Sequence, residues 1–236
     1  MNIYKKAKLP NNIYKNNNYS KTTYSGFSKI LYKINHKLLD FKVDEKYNEH
    51  IVDVGGGAEQ HLKYMNIKNI KTYTIIDSKI FRNEINKLQK KFKNIKIYFI
   101  DYKKIKYIKK KKLYTRMVSS HTFEHFDDFE QNFLNLMPLM QLDSLISVAL
   151  PCDPGLTWRF LQFFSYFNQK KTYGWKNLKQ KDLDDSRDHL TSAQNILKIL
   201  RYYFLNIKNI YFPFLLPIIE INIFLIMQIK TRLFKK

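Results

Sequence analysis

The sequence predicts an α/β domain built on an open, doubly wound sheet, mostly parallel, with helices on both faces. Two observations carry the prediction. Short β-branched or aromatic runs alternate along the chain with stretches of helical period, the pattern of strands joined by crossover helices. The first of these runs also passes straight into Gly55-Gly56-Gly57. Glycines at the carboxyl end of a first strand mark the place where an open sheet receives a ligand. At 236 residues, the chain is long enough to bury one full core.

The elements follow in order. Residues 1–23 are rich in Asn, Lys and Tyr and are expected to be poorly ordered. Phe27, Leu31, Ile34, Leu38 and Leu39 then suggest a helix lying over the domain, so that 24–44 forms an N-terminal cover. Strands are expected at Ile51–Val54, Thr72–Ile76, Ile95–Ile100, Tyr114–Ser119 and Ser144–Leu150. Phe81, Ile85, Leu88 and Phe92, spaced i, i+4, i+7 and i+11, share one helix face. Phe129, Phe133, Leu136, Met137 and Met140 make another, opened by Asp127 with Glu130 three residues on, a capping-box pattern. An aromatic-rich insertion occupies 151–190. A further helix then starts near Thr191, capped with Gln194, and carries Ile196, Ile199, Leu200 and Tyr203 as its stripe.

Ile207–Phe214 and Asn222–Ile229 close the chain as two more strand-like runs, which makes seven. The apolar stretch Ile210–Ile229 is long enough to raise a membrane span. Pro213, Pro217, Glu220, Asn222 and Gln228 interrupt it, and a carboxylate near a bilayer centre is costly. Two strands joined near Pro217 explain the same residues, so no transmembrane span is expected.

Composition excludes several classes. One cysteine rules out a disulfide scaffold, a cysteine-based zinc site and an iron–sulfur cluster. No apolar signal segment is visible in Met1–Pro10, which makes the cytosol the expected location. The formal charge is +22, but only six of the 42 basic residues are arginine. Lysine swollen alongside Asn, Ile and Tyr is the profile of an AT-rich coding sequence. Arginine, the usual reader of phosphates and bases, is scarce. A nucleic acid is therefore a secondary partner class and not the favoured one. The lysine run Lys103–Lys112 reads in the same way, as a solvated face before a phosphate grip.

The glycine turn, Asp53-Val54-Gly55-Gly56-Gly57-Ala58-Glu59, also limits its ligand. A dinucleotide fingerprint needs a third-position glycine where this chain has Gln60, and it needs the helix start free for pyrophosphate. Glu59 sits there instead, and Asp53 adds negative charge. A ligand with a cationic, phosphate-free tail fits better than a nicotinamide dinucleotide. Asp77 ends the second strand 20 residues after Gly57, the spacing at which a carboxylate meets a ribose diol. Asp101 ends the third, with Tyr102 beside it, where a carboxylate can accept from an exocyclic amine and a ring can cover a base.

These residues resemble a class I S-adenosylmethionine-dependent methyltransferase over most of the chain, from about His50 to Ile229. Asp53-Val54-Gly55-Gly56-Gly57-Ala58 is similar to the family's first motif and Thr74-Ile75-Ile76-Asp77 to its second. The stretch Val118–Phe126 is similar to the segment after strand four in the small-molecule, type 11 branch. The resemblance implies a Rossmann-like seven-stranded sheet with an antiparallel C-terminal strand, and S-adenosylmethionine as cofactor. It implies that Gly55, Gly56 and Gly57 approach the methionine portion, with Asp53 near its amino group. Asp77 and Ser78 would meet the ribose, Asp101 and Tyr102 the adenine, and Ser120 and His121 would line the cleft. One departure is Met137-Pro138-Leu139-Met140 where the branch carries a Lys-Pro-Gly-Gly turn. Leu150–Gly155, Arg187-Asp188-His189 and Leu200–Phe204 are similar to methyltransferases of bacterial surface-polysaccharide genes, which implies a saccharide or related hydroxyl acceptor.

An oxygen acceptor calls for a general base, and histidine is the usual one near neutral pH. His121 and His189 are the candidates, with His125 more suited to packing. Asp153 and Arg159 follow strand five at the ligand edge and are candidates for acceptor binding, with 151–190 as the lid over it. Cys152 after Pro151 suggests a thiolate nucleophile, but the neighbouring Asp153 would raise its pKa. His121 and His125 precede a helix cap and need not share a face, so no metal is expected. The competing functions are an RNA methyltransferase and a non-catalytic module that kept the fold; the oligomeric state is not readable from the sequence.

Overall fold

Seven strands form one sheet in the order β3-β2-β1-β4-β5-β7-β6. A computed structural model describes residues 26–57, 61–78, 81–108 and 113–233. The strands are β1 (His50–Val54), β2 (Thr72–Asp77), β3 (Lys96–Asp101), β4 (Tyr114–Ser120), β5 (Met140–Pro151), β6 (Ile207–Phe212) and β7 (Phe224–Lys230). The helices are α1 (Gly26–Leu39), α2 (Arg82–Lys91), α3 (Phe129–Leu136), α4 (Leu156–Tyr173), α5 (Leu178–Asp188) and α6 (Ala193–Tyr203). Strands β1 to β5 pair in parallel. β7 runs antiparallel to both β5 and β6, as the resemblance implied.

Both faces of the sheet are covered, so the central strands are apolar on both sides. Val52, Met117, Ile146 and Val148 pack on one face with Phe133 of α3 and Leu200 of α6. Ile51, Ile75, Val118 and Ile226 pack on the other with Leu39 of α1 and Leu88 of α2. The strand order reverses between β1 and β4, which leave the sheet side by side, with Val54 opposite Ser119. At such a switch point the connections on the two sides diverge and open a crevice at the carboxyl ends.

Several local expectations shift. Both helix caps move by one residue, because each pair of neighbours contains two side chains able to cap. Asp128, not Asp127, accepts from Gln131 N–H, at 3.0 Å. Ser192, not Thr191, accepts from Asn195 N–H, at 3.3 Å. The Thr191 hydroxyl donates instead to the Phe126 carbonyl at 3.2 Å. Pro138 lies in a 3-10 turn, Met137–Leu139, that ends the α3 stripe early, and Met140 opens β5. After the glycine turn, the described residues show a 3-10 turn at His61–Lys63 rather than a longer helix. Ala58, Glu59 and Gln60 lie outside the described residues, as do 1–23 and the end of the lysine run. Ile210–Ile229 is divided between β6 and β7. Among the described residues no helix is long and apolar enough to cross a membrane.

Candidate active site

The glycine turn leaves β1 at the switch point and is packed on three sides. Gly55 has φ +82°, and a Cβ there would lie 1.9 Å from Thr122 Oγ1. A Cβ on Gly56 would lie 2.1 Å from Asp53 Oδ2, and one on Gly57 would lie 2.6 Å from Asp77 Oδ2. The sequence needs glycine at all three positions, and the segments that press on them are the ends of β1, β2 and β4.

Asp77 accepts from Gly57 N–H at 2.7 Å and from Ser78 N–H at 2.5 Å. Burial outweighs these two bonds and pushes its carboxyl up to about 6. Asp101 stands opposite Asp77 at the end of β3 and caps a 3-10 turn by accepting from Lys103 N–H. Tyr102 follows it with half its surface exposed. The structure thus brings Asp77, Ser78, Asp101 and Tyr102 to one edge beside the glycines. Asp53 differs from expectation in its direction. Only 2% exposed, it turns inward and accepts through Oδ2 from Tyr73 Oη–H and from His61 N–H. Burial raises its carboxyl. It supports the turn from beneath.

The other wall follows β4. Ser120 Oγ accepts from Asn35 Nδ2 of α1 at 2.8 Å, which ties the N-terminal cover to the site. His121 adopts the left-handed region, φ 53°, with its N–H on the Ala149 carbonyl. Its ring is edge-on to Tyr32 of α1 and to Phe224 of β7. Its Nδ1 lies 3.6 Å from Glu124 Oε1, and its Nε2 is buried without a hydrogen-bond partner. Non-glycine residues in this backbone region carry strain, which folds keep mainly at functional positions.

Glu124 is the central charge. It is 2% exposed, and neither carboxylate oxygen has a hydrogen-bond partner. Burial would raise its carboxyl, but His121, His125 and His189 around it hold it below the usual range. His189 comes from the end of the insertion and donates through Nδ1 to Asp153 Oδ2 at 2.7 Å. Burial disfavours its cation, yet Asp153, Glu124 and Asp188 outweigh that and raise it to about 9. Asp153 and His189 are therefore brought together. Arg159 is exposed in the first turn of α4 and makes no contact with that pair that would single it out. Cys152 is buried, and burial, then Glu220, pushes its thiol up to about 12. That excludes the thiolate reading near neutral pH.

Some of the machinery was not singled out from the sequence. Arg116, buried in β4, donates to Asp40 at 2.7 Å, to Asn48 at 2.9 Å and to the Leu39 carbonyl at 2.9 Å. Asp40 also accepts from His61 Nε2 at 3.0 Å, and His61 Nδ1 lies 3.0 Å from His36 Nδ1. This network clamps α1 beneath the glycine turn. A lone Arg inside an apolar strand run was its one visible trace. The lid expectation falls on α4 and α5. Along α4, Leu156, Phe160, Phe163, Phe164 and Phe167 form an exposed apolar row, while Trp158 faces His189 and Phe224.

No protein-family model and no curated protein sequence matches the chain. Solved structures do. The plantazolicin methyltransferase BpumL, solved with S-adenosylhomocysteine, matches with a TM-score of 0.61 at 16% identity, over 91% of this chain and 89% of that one. A possible histamine N-methyltransferase from Thermotoga maritima matches at 0.57 and 12%, over 93% and 97%. The CurJ carbon methyltransferase matches at 0.57 and 14%; 89% of this chain is covered, but it spans only 57% of that structure. The fold is that of the class I methyltransferases. Within this methyltransferase fold the glycine turn, Asp77 and Asp101 occupy the ends of the first three strands, beside the crevice.

These residues suit an adenosyl ligand. Carboxylates at two strand ends accept from hydroxyl and amine donors.

Proposed function

We propose that the chain is an S-adenosylmethionine-dependent methyltransferase acting in the cytosol on a hydroxyl of a small molecule or saccharide. The observation that carries the reading is the pairing of Gly57 N–H with Asp77 at the switch point, beside Asp101. A carboxyl raised by burial to about 6 at a strand end beside the switch point also marks a candidate functional position. Methyltransferases of small molecules among the structural neighbours support a small-molecule acceptor, and the hydroxyl and saccharide parts rest on the sequence resemblance.

When bound, the cofactor supplies a methyl group already activated on a sulfonium. The protein's part is alignment, exclusion of water and removal of one proton. Asp77 and Ser78 would hold the ribose, and Asp101 with Tyr102 the adenine. The acceptor side is formed by His121, Glu124 and the 151–190 lid, whose Trp158 ring lies beside His189. His121 takes the hydroxyl proton at Nε2, the nitrogen without a partner, while Glu124 faces Nδ1 and steadies the resulting imidazolium. His189 already carries its proton toward Asp153 and is less suited to that task.

The test is calorimetric titration with S-adenosylmethionine, S-adenosylhomocysteine and NAD, with Asp77→Ala alongside. Micromolar binding of the first two, lost in the variant, is expected. A folded protein that binds neither sinks the enzyme reading in favour of a non-catalytic module.

A further inference from the structure

We propose that Glu124, His125 and His189 form a site for one divalent transition-metal cation of the zinc type, on the acceptor side of the crevice. Each offers one ligand atom, and these atoms lie within 4.8 Å of one another. The anchor is Glu124, a fully buried carboxylate with no hydrogen-bond donor on either oxygen. An anion in that position is unfavourable unless a positive charge meets it.

The surrounding imidazoles stop short of it. His121 Nδ1 lies 3.6 Å and His125 Nε2 4.0 Å from Glu124 Oε1. Those separations are too long for hydrogen bonds. The His125–Glu124 separation is near what two atoms sharing an ion would show. With metal–ligand bonds of about 2.0–2.2 Å, tetrahedral neighbours stand roughly 3.4 Å apart. Small side-chain rotations would close the difference.

The outer nitrogens are already committed. His125 Nδ1 donates to the Asp188 carbonyl at 2.9 Å, and His189 Nδ1 to Asp153 Oδ2 at 2.7 Å. A ligating histidine characteristically gives its second N–H to a carbonyl or a carboxylate, which aims the other nitrogen at the ion. Here both rings are so held, and His125 Nε2 lies 4.0 Å from Glu124 Oε1. Two imidazoles and one carboxylate satisfy zinc and leave a fourth position open. Without the ion, a proton on His189 supplies positive charge, and cation binding displaces it. In the reaction the cation would hold the acceptor oxygen and ease loss of its proton to His121. That last role rests on the proposed function; the site itself does not.

The experiment uses the full chain, stripped with chelator and shown folded by circular dichroism. Zinc is titrated by calorimetry and cobalt(II) by its visible absorption, which reports coordination directly. One equivalent should bind. His189→Ala and His125→Ala should each weaken binding at least about 100-fold, and Asp153→Asn about 10- to 100-fold. Glu124→Gln should do the same as the histidine variants, while His50→Ala, away from the cluster, should change nothing. A folded wild type that binds no stoichiometric cation overturns the proposal, as does equal binding by His189→Ala. S-adenosylhomocysteine is titrated on the same samples. Its binding without cation binding removes the metal site alone, and the reverse removes the methyl-transfer reading alone.

Discussion

The backbone N–H of Gly57 donates to Asp77 Oδ2 across 2.7 Å, tying the glycine turn to the end of β2. The carboxyl is raised by burial from 3.8 to about 6. A raised acid is more stable protonated in the fold, so its destabilising effect is absent below the unfolded value. The effect grows as pH rises and is complete above about 6. The shift corresponds to about 3 kcal/mol at neutral pH. Asp77→Asn should therefore lose relative stability as pH falls from 7 to 4, with urea unfolding at several pH values as the check. Ligand binding should run the other way. The ionised carboxylate is the better acceptor for ribose hydroxyls, so wild-type affinity for S-adenosylhomocysteine should fall below pH 6, and Asp77→Asn should show no such step.

Gly55 combines two constraints that can be separated. Its φ of +82° disfavours any side chain, and a Cβ would strike Thr122 Oγ1 at 1.9 Å. Left-handed backbone alone costs about 1–2 kcal/mol for an L-residue. Gly55→Ala should cost more than that in thermal or urea unfolding. Adding Thr122→Ala should recover the steric part and leave the backbone part. A double variant no better than the single would show that Thr122 is not the obstacle.

What could be read in the sequence was what repeats locally. Ile51–Val54 is a short apolar run and the stripe Phe81–Phe92 follows a period of 3.6, and both elements formed where expected. The acids Asp77 and Asp101 were legible because strand ends in a parallel sheet converge by topology, and register places them opposite each other. The caps slipped by one residue because Asp127/Asp128 and Thr191/Ser192 are chemically equivalent pairs, and only backbone direction chooses between them. Asp53 was misread in direction because a strand's first acid can face either the ligand or the core, and Tyr73, 20 residues on, decided it. The cluster of Glu124, His125 and His189 was not visible, since His125 and Asp188 stand 63 positions apart and meet only in three dimensions.

The buried Arg116 and the partly buried Asp40 form an ion pair that locks α1 to the sheet. Burial disfavours the guanidinium, and Asp40 chiefly compensates it. Removing one partner of such a pair leaves an uncompensated charge and costs about 3–5 kcal/mol, whereas an apolar replacement of the whole unit can be near neutral. Asp40→Ala should therefore destabilise the protein by that amount. The loss should be largest in α1, where hydrogen exchange should accelerate ahead of the β1–β4 amides. Uniform acceleration would mean that the pair supports the whole sheet rather than the cover.

Cys152 offers a direct check on the chemistry that the site does not use. It follows β5 at the ligand edge, yet it is buried and its thiol lies near 12. At pH 8 the thiolate, the only reactive form, is then about one part in ten thousand. Since the chain has no other cysteine, a disulfide reagent reports on this residue alone. Native protein should react orders of magnitude more slowly than protein in denaturant, and Cys152→Ala should keep S-adenosylhomocysteine binding. Rapid native labelling would place a reactive thiol at the crevice and reopen covalent catalysis there, because only an accessible thiolate could account for that rate.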